Sequence, residues 1–74
     1  MRISYDPEID ALSIIFAETT VTTKQIDEGI VIEYDAGGQL AGIEILDAVK
    51  RFGDQQTLQQ VILERVGLHH ALPT

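Results

Sequence analysis

Residues 29–47 read GIVIEYDAGGQLAGIEILD, and three glycines near the centre of this stretch, Gly37, Gly38 and Gly42, decide the fold. A glycine-rich segment of this kind is typical either of a loop that binds phosphate or of the tight turn of a β-hairpin. A phosphate loop leads directly into the N-terminus of a helix and often carries a lysine. Here alternating apolar segments flank the glycines on both sides, and no basic residue is near. The stretch therefore predicts a hairpin.

The turn of this hairpin sets which residues face each other across the two strands. Residues 35–38, DAGG, match a type I turn that begins with Asp35 and is closed by a bulge at a left-handed glycine. This register predicts three cross-strand pairs: Tyr34 with Leu40, Ile32 with Gly42, and Val31 with Ile43.

The predicted register places apolar side chains on both faces of the hairpin, because successive residues of a strand point to opposite faces. One face carries an apolar set that is interrupted only by Glu44: Tyr34, Ile32, Ile30, Leu40 and Leu46. The other face is polar near the turn, and further away it carries Val31, Ile43 and Ile45. We therefore expect a sheet with apolar surface above and below.

The rest of the chain predicts further strands and one helix. RISY (2–5) and ALSIIFA (11–17) flank a turn at DPEID, and the polar segment 22–27 predicts an edge strand protected by threonines and Lys24. From Asp54, a suitable N-cap, apolar residues recur at helical spacing: Leu58, Val61, Ile62 and Val66. The sequence predicts one α+β domain over 1–74, with a small antiparallel β-meander of four or five strands (1–47), a C-terminal α-helix (54–67) and a tail (68–74).

Size and composition constrain how such a domain is stabilised and where it works. A chain of 74 residues without cysteine has no disulfides and no thiolate metal site. Domains this small usually need an additional support, so we expect association of subunits to supply it, with a dimer favoured. No apolar run reaches the length of a membrane span, and the N-terminal residues lack the apolar segment of a signal peptide. We expect a cytoplasmic protein without membrane contact.

The charge is acidic and unevenly distributed. The net charge is −7, and residues 1–49 carry ten carboxylates against Arg2 and Lys24. Acidic surface repels phosphate backbones, so nucleic-acid binding is disfavoured, whereas a basic protein partner would be attracted. The adjacent Lys50 and Arg51 are too few for a nucleic-acid patch. They either lie at the hinge between sheet and helix, near carboxylates of the sheet, or are ordinary solvated surface, and we expect the latter.

The expected surplus of apolar surface predicts an interaction surface. One helix covers only one face of a sheet, and Leu63 lies off the predicted helix stripe. Exposed apolar patches of more than a few hundred Å² tend to be contact sites. The residues that we predict for this surface combine the second sheet face, the helix and the acidic rim: Ile15, Val31, Ile43, Ile45, Leu63, Glu33 and Asp35.

No motif predicts catalysis, a cofactor or a metal. Asp6, Glu8 and Asp10 have the alternate spacing that begins a calcium loop, but the required glycine and the final glutamate are both replaced by alanine. His69 and His70 are adjacent and have no acidic neighbour at a zinc-ligand spacing, so we interpret them as polar surface. No nucleophile lies beside a base. We expect no enzymatic activity.

Two motifs carry a resemblance to a known family. YDPEIDALSI near the N-terminus and GIVIEYDAGGQLAGIEILDA in the middle, followed by a basic pair, are similar to a bacterial family catalogued as domain of unknown function 2283. The resemblance covers roughly residues 3–51 and implies a small cytoplasmic protein with a β-rich core and no catalytic residues to transfer. Members of this family resemble small acidic partners of compact basic ribonuclease-like toxins.

Two hypotheses about function arise from these observations. The first is a homo-oligomeric protein–protein interaction module without enzymatic activity, which acts as an antitoxin-like partner of a basic protein. The second is a protein that binds a small ligand or a divalent metal, through the acidic turn at residues 6–10 or through a cleft between subunits.

Overall fold

The computed structural model describes residues 1–65. Its elements are five strands, one α-helix and one 3₁₀ turn: β1 Arg2–Asp6, β2 Ala11–Ile15, β3 Thr22–Asp27, β4 Ile30–Tyr34, β5 Leu40–Leu46, α1 Ala48–Phe52 and the 3₁₀ turn Gln55–Leu58. The strands form one antiparallel sheet in the order β1-β2-β5-β4-β3. The predicted α+β class, with an antiparallel sheet followed by one helix, is confirmed.

The last strand lies at the centre of the sheet and holds its two halves together. β5 pairs with β4 of its own hairpin on one side and with β2 of the N-terminal hairpin on the other. The edges are therefore β1 and β3, and the predicted edge strand at residues 22–27 is confirmed. The hairpin that decides the fold thus forms the middle of the sheet.

The central hairpin has the predicted turn, which begins at Asp35 and is closed at a left-handed glycine. The Gly38 N–H donates to the Asp35 carbonyl at 3.0 Å, and the Asp35 N–H donates to the Gln39 carbonyl at 2.9 Å. Gly38 has φ +81°, in the left-handed region that favours glycine. The Asp35 carboxylate accepts from the N–H groups of Gly37 and Gln39, each at 2.9 Å. These glycines form a turn between strands and no phosphate loop.

A β-bulge at Ala41 changes the register beyond the first pair of the hairpin. Tyr34 lies opposite Leu40 as predicted, but the next residue of β4, Glu33, lies opposite Gly42, so Ala41 has no partner on β4. The Ala41 carbonyl instead accepts from the N–H groups of Phe16 and Ala17, at 2.8 and 3.2 Å, where the chain leaves β2. The two other predicted pairs are wrong, since Ile32 lies opposite Ile43 and Val31 opposite Glu44.

The bulge sorts the sheet into one apolar face and one polar face, because directly paired residues point to the same side. Ten apolar or aromatic side chains share the apolar face: Ile3, Tyr5, Leu12, Ile14, Ile30, Ile32, Tyr34, Leu40, Ile43 and Ile45. Eight polar or charged side chains share the polar face: Arg2, Ser4, Asp6, Ser13, Thr23, Gln25, Glu33 and Glu44. Three larger apolar residues lie among the latter: Ile15, Val31 and Leu46. Both faces therefore carry apolar residues, but these are concentrated on one face, and Glu44 lies on the other face rather than interrupting the apolar one.

The helix lies earlier in the chain than predicted. It spans Ala48–Phe52 and ends at Gly53, whose φ of 80° is left-handed and whose N–H donates to the Val49 carbonyl. Asp54 does act as an N-cap, since its side chain accepts from the Gln56 N–H, but it caps the 3₁₀ turn, and residues 59–65 have no regular secondary structure. The predicted helix over 54–67 is wrong within the described residues, because an amphipathic stripe forms a stable helix only when it packs on another surface. Residues 66–74, with the tail and His69–His70, lie outside the described part.

The described part of the chain has almost no core. The hydrophobic residues buried within residues 1–65 are three alanines: Ala11 (4% exposed), Ala41 (0%) and Ala48 (0%). No large side chain in this range is fully buried, and Ile3 and Leu40 on the apolar face are 42% and 46% exposed. Strands and helix of residues 1–65 thus form a single sheet layer with a short helix at one end.

Gly42 tests the importance of the bulged segment for stability. A Cβ at this position would lie 2.6 Å from the Glu33 carboxylate and 3.1 Å from the backbone carbonyl of Ile14. Since a backbone atom cannot move away easily, we expect Gly42→Ala to lower the free energy of unfolding by about 1–3 kcal/mol in urea titrations. Gly37→Ala is the matched control, because a Cβ there meets only the Asp35 carboxylate, at 3.5 Å. Equal stability of the two variants would contradict this role of the bulge.

Candidate functional site

The apolar face is the most prominent surface of the molecule. Its side chains form rows across the strands, one of which runs Ile3–Ile14–Ile43–Ile32 and the next Tyr5–Leu12–Ile45–Ile30. Eight of the ten side chains are half-buried by their neighbours, and Ile3 and Leu40 are exposed. These side chains lie on four strands, β1, β2, β5 and β4, whereas β3 adds Thr22, Lys24 and Asp27 to the same face. With strands about 4.8 Å apart and about 3.4 Å per residue, the apolar patch measures roughly 14 by 17 Å, or about 250 Å² in projection. Apolar patches of a few hundred Å² on a protein surface are often functional.

The polar face is acidic at its centre. Glu33 and Glu44 lie on the central strands β4 and β5, and the Glu33 side chain lies over the backbone of Gly42. At the margin, Arg2 forms an ion pair with Glu18 at 2.9 Å, but both side chains are more than half exposed (60% and 67%), so the pair adds little stability. Carboxylates without basic neighbours on the same strands favour contact with a positively charged surface.

The structure does not bring the predicted interaction residues together on one surface. Ile43 and Ile45 lie on the apolar face, whereas Ile15, Val31 and Glu33 lie on the polar face. Asp35 lies at the hairpin turn, where its carboxylate holds two backbone N–H groups, and Leu63 lies in the irregular segment after the 3₁₀ turn. The bulge separates this set, because it moves Ile43 and Ile45 to the face opposite Val31.

Asp10 joins the N-terminal hairpin to the helix. Its side chain accepts from the Tyr5 hydroxyl at 2.7 Å and from the Val49 N–H at 3.0 Å, and its carbonyl accepts from the Ala48 N–H at 2.9 Å. Asp47 precedes the helix but makes no side-chain capping bond, so Asp10 provides the cap from a position 39 residues away. The two sequence motifs, YDPEIDAL and GIEILDA, therefore meet at this contact.

The same contact shifts the acidity of both side chains. The hydrogen bond from Tyr5, followed by the one from the Val49 N–H, lowers the pKa of Asp10 below its ordinary value. The hydrogen bond to Asp10, followed by desolvation, raises the pKa of Tyr5. Both groups thus keep their ordinary charge state at neutral pH, an ionised carboxylate and a neutral phenol, which is the state that this hydrogen bond requires.

Arg51 provides a second contact between helix and sheet. Its Nε donates to the Leu46 carbonyl at 3.0 Å, and its Nη2 donates to the Glu28 carbonyl in the β3–β4 turn. The guanidinium fills the space above Gly29, where a Cβ would collide with it, and Gly29 has φ +77°. Arg51 is exposed, as expected, but these bonds place it at the hinge between sheet and helix, the alternative position, and not on unengaged surface. The sequence does not reveal this contact. Gly29 indicates a turn, but nothing in a turn glycine shows that Arg51, 22 positions later, will lie above it.

The remaining carboxylates and depressions show no built ligand site in the described residues. In the acidic turn, Asp6 accepts from the Glu8 N–H at 3.0 Å, which is local turn chemistry. Among residues 1–65, no group of three His, Cys, Asp or Glu side chains is placed to hold a metal ion. Two open depressions flank the helix, one of about 290 Å³ beside Arg51 and one of about 400 Å³ between Tyr5 and Leu58. The first is lined by Glu28, Asp47, Lys50 and Arg51, two acidic and two basic side chains, and the second is lined mainly by apolar and amide side chains. Both are open to solvent.

Fold and surfaces define a small α+β domain, with a one-layer antiparallel sheet that is apolar on one side and acidic on the other. Residues 2–48 match the family described as "Protein of unknown function (DUF2283)", and the chain belongs to this family. The matched range contains the whole sheet and ends at Ala48, the first residue of the helix. No curated protein and no solved structure matches the chain. Within residues 1–65, no helix has the length and apolar character to cross a membrane.

Asp10 tests the connection between the two motifs. The pKa of Asp10 is lower in the folded state than its ordinary value of about 3.9. The ionised Asp10 carboxylate therefore contributes its full stabilisation above about pH 3.9, and this stabilisation is lost as the pH falls through the lower folded-state pKa. We expect Asp10→Asn to be less stable than the wild type at pH 7 and the difference to shrink towards pH 2. Thermal unfolding across this range measures it. Glu8→Gln, an exposed change in the same turn, should follow the wild-type profile, and a constant difference for Asp10→Asn would contradict the assignment.

Proposed function

We propose that this protein is a protein–protein interaction module without enzymatic activity, which works as a homo-oligomer, with the dimer as the favoured state. The observation that carries this proposal is the apolar face, where none of the ten large side chains is buried by residues 1–65. Apolar surface gains about 25 cal/mol for each Å² removed from water, so covering this face supplies the stability that the single layer lacks. A second copy of this chain is the simplest partner for the face, because it is present wherever the protein itself is present.

The scarcity of core favours association as part of the fold itself. Sheets gain independent stability when their apolar side packs against a second layer. In residues 1–65 the buried hydrophobic positions are alanines, and the helix touches only the end of the sheet through Asp10 and Arg51. A second sheet layer from another subunit would complete the usual two-layer arrangement.

The polar face supports the second part of the proposal, an antitoxin-like role towards a basic protein. When the apolar face is covered by a second copy, the face with Glu33 and Glu44 points outwards on both sides of the assembly. Residues 1–49 carry ten carboxylates against two basic side chains. This charge steers a positively charged protein to the polar face and favours the correct partner over acidic ones.

The absence of enzymatic activity is also proposed, and two observations support it. Tyr5 and Asp10, whose pKa values are shifted, are bonded to each other, and Asp10 also caps the helix. The depressions beside the helix are open, whereas catalysis by perturbed side chains usually takes place in an enclosed cleft.

Two neighbouring residues of β4 test the self-association. Ile32 lies on the apolar face and Val31 on the polar face of the same central strand. We expect light scattering to give about twice the 8.2 kDa chain mass for the wild type and for Val31→Lys. Ile32→Lys should shift the protein to monomer, because a lysine cannot be buried without a partner.

A second measurement guards against a variant that simply fails to fold. The melting temperature of the wild type should rise with protein concentration, since unfolding is then coupled to dissociation. A wild-type mass of 8.2 kDa at high concentration, with a melting temperature that does not depend on concentration, contradicts the proposal.

The acidic face is tested by affinity capture with two baits. The wild type and the Glu33→Gln/Glu44→Gln variant keep the same apolar face, so both should have the same mass in solution. We expect the wild type to retain a basic protein from extracts of the native host at low salt and the variant to retain about tenfold less. Recovery of the bait alone, or equal recovery by both baits, removes this part of the proposal.

A further inference from the structure

Residues 59–65, which follow the 3₁₀ turn, are named the C-terminal arm. Like the apolar face, the arm exposes apolar side chains that no other part of residues 1–65 covers. The arm has no regular secondary structure, and it exposes three consecutive apolar side chains: Val61 (61%), Ile62 (69%) and Leu63 (66%). A run of three apolar residues in such a segment is costly in water. The chain thus carries an uncovered apolar face and an unpacked apolar arm together.

The start of the arm is fixed relative to the sheet. Asp10 and Arg51 hold the helix at the end of the sheet, and Gly53 ends it with a left-handed turn. In the next residues, Asp54 accepts from the Gln56 N–H at 2.8 Å, and the Gln59 N–H donates to the Gln56 carbonyl at 3.0 Å. These bonds set the direction in which the arm leaves, and in that direction its apolar side chains do not bury themselves on their own sheet.

The area of the apolar face gives a reason for the arm to contribute to the interface. The apolar patch on four strands covers only about 250 Å² in projection. A stable interface usually buries about 800 Å² on each partner. Direct contact between two sheet faces alone thus falls short of a stable dimer, and additional apolar surface is needed.

The arm has the length and the chemistry to supply this surface. Gln59 closes the 3₁₀ turn, and the six residues from there to Arg65 span about 20 Å when extended, which exceeds the width of about 14 Å of the apolar patch. We propose that, in the homo-oligomer of the proposed function, the C-terminal arm of each copy crosses to a second copy and lays Val61, Ile62 and Leu63 against its apolar face. The inference rests on that proposed function and adds which part of the second copy makes the contact.

The absence of cysteine from the chain allows a clean cross-linking test in the full-length protein. Single-cysteine variants are made in the arm (Val61→Cys, Ile62→Cys and Leu63→Cys) and at the centre of the apolar face (Ile43→Cys). Each arm variant is mixed with Ile43→Cys, the two proteins exchange subunits through reversible dissociation, and the mixture is then oxidised. Because a disulfide forms only when the Cβ atoms approach within about 4.5 Å, at least one mixture should give a mixed dimer, with a yield about tenfold above the control.

The matched control is Glu44→Cys, the neighbour of Ile43 on the same strand but on the polar face. Mixed dimers at position 43 and their absence at position 44 support the exchange of arms. If Ile43→Cys forms disulfides only with itself while all three arm positions stay unlinked, the faces meet directly, so the arm inference fails and the homo-oligomer remains.

One further variant separates the remaining outcomes. In the double variant Ile43→Cys/Ile62→Cys, a disulfide within one chain, without links between chains, shows that the arm covers its own sheet and overturns the exchange. Light scattering of the uncross-linked wild type decides the proposed function independently, since a monomer removes both the homo-oligomer and the exchange. A dimer with no arm cross-link at any of the three positions removes the exchange alone.

Discussion

The unpaired residue at Ala41 is the constraint on which the surfaces of this protein depend. Side chains alternate along a strand, so one extra residue moves everything beyond it to the opposite face. The bulge places Ile43 and Ile45 beside Ile32 and Ile30, and it places Glu44 beside Val31 on the other side. A regular hairpin would distribute apolar and charged residues over both faces, and neither a coherent apolar surface nor an acidic one would exist.

Two contacts from distant parts of the chain fix the end of the sheet against the helix. Asp10 caps the helix across 39 residues, and Arg51 reaches back to the carbonyls of Leu46 and Glu28. The helix has only five residues and could not be stable alone, so these bonds, together with the left-handed glycine at its end, define it. The family match ends at Ala48, which is where the Asp10 contact begins.

Local sequence patterns were sufficient for the strands, the central turn, the edge strand and the capping role of Asp54, because each depends on neighbouring residues. The bulge was missed, since nothing in Leu40-Ala41-Gly42 marks it before the partner strand is known. Glu44 on a supposedly apolar face was the available signal. The helix was misplaced because its cap, Asp10, lies far away in the chain. For the predicted interaction residues, the sequence placed Val31, Ile43 and Ile45 on one face, whereas the structure divides them between the two faces, since this assignment depends on the bulge.

The edge strand β3 limits how such sheets can stack. It is exposed along its whole length, and its pairing with β4 is irregular between Gln25 and Asp27. Lys24 lies opposite Ile32 and so places a charge at the border of the apolar face. An irregular edge with a lysine resists backbone pairing with another chain. This side of the molecule therefore opposes growth into ribbons or amyloid-like fibrils, a hazard for any protein that carries so much isoleucine on one thin layer.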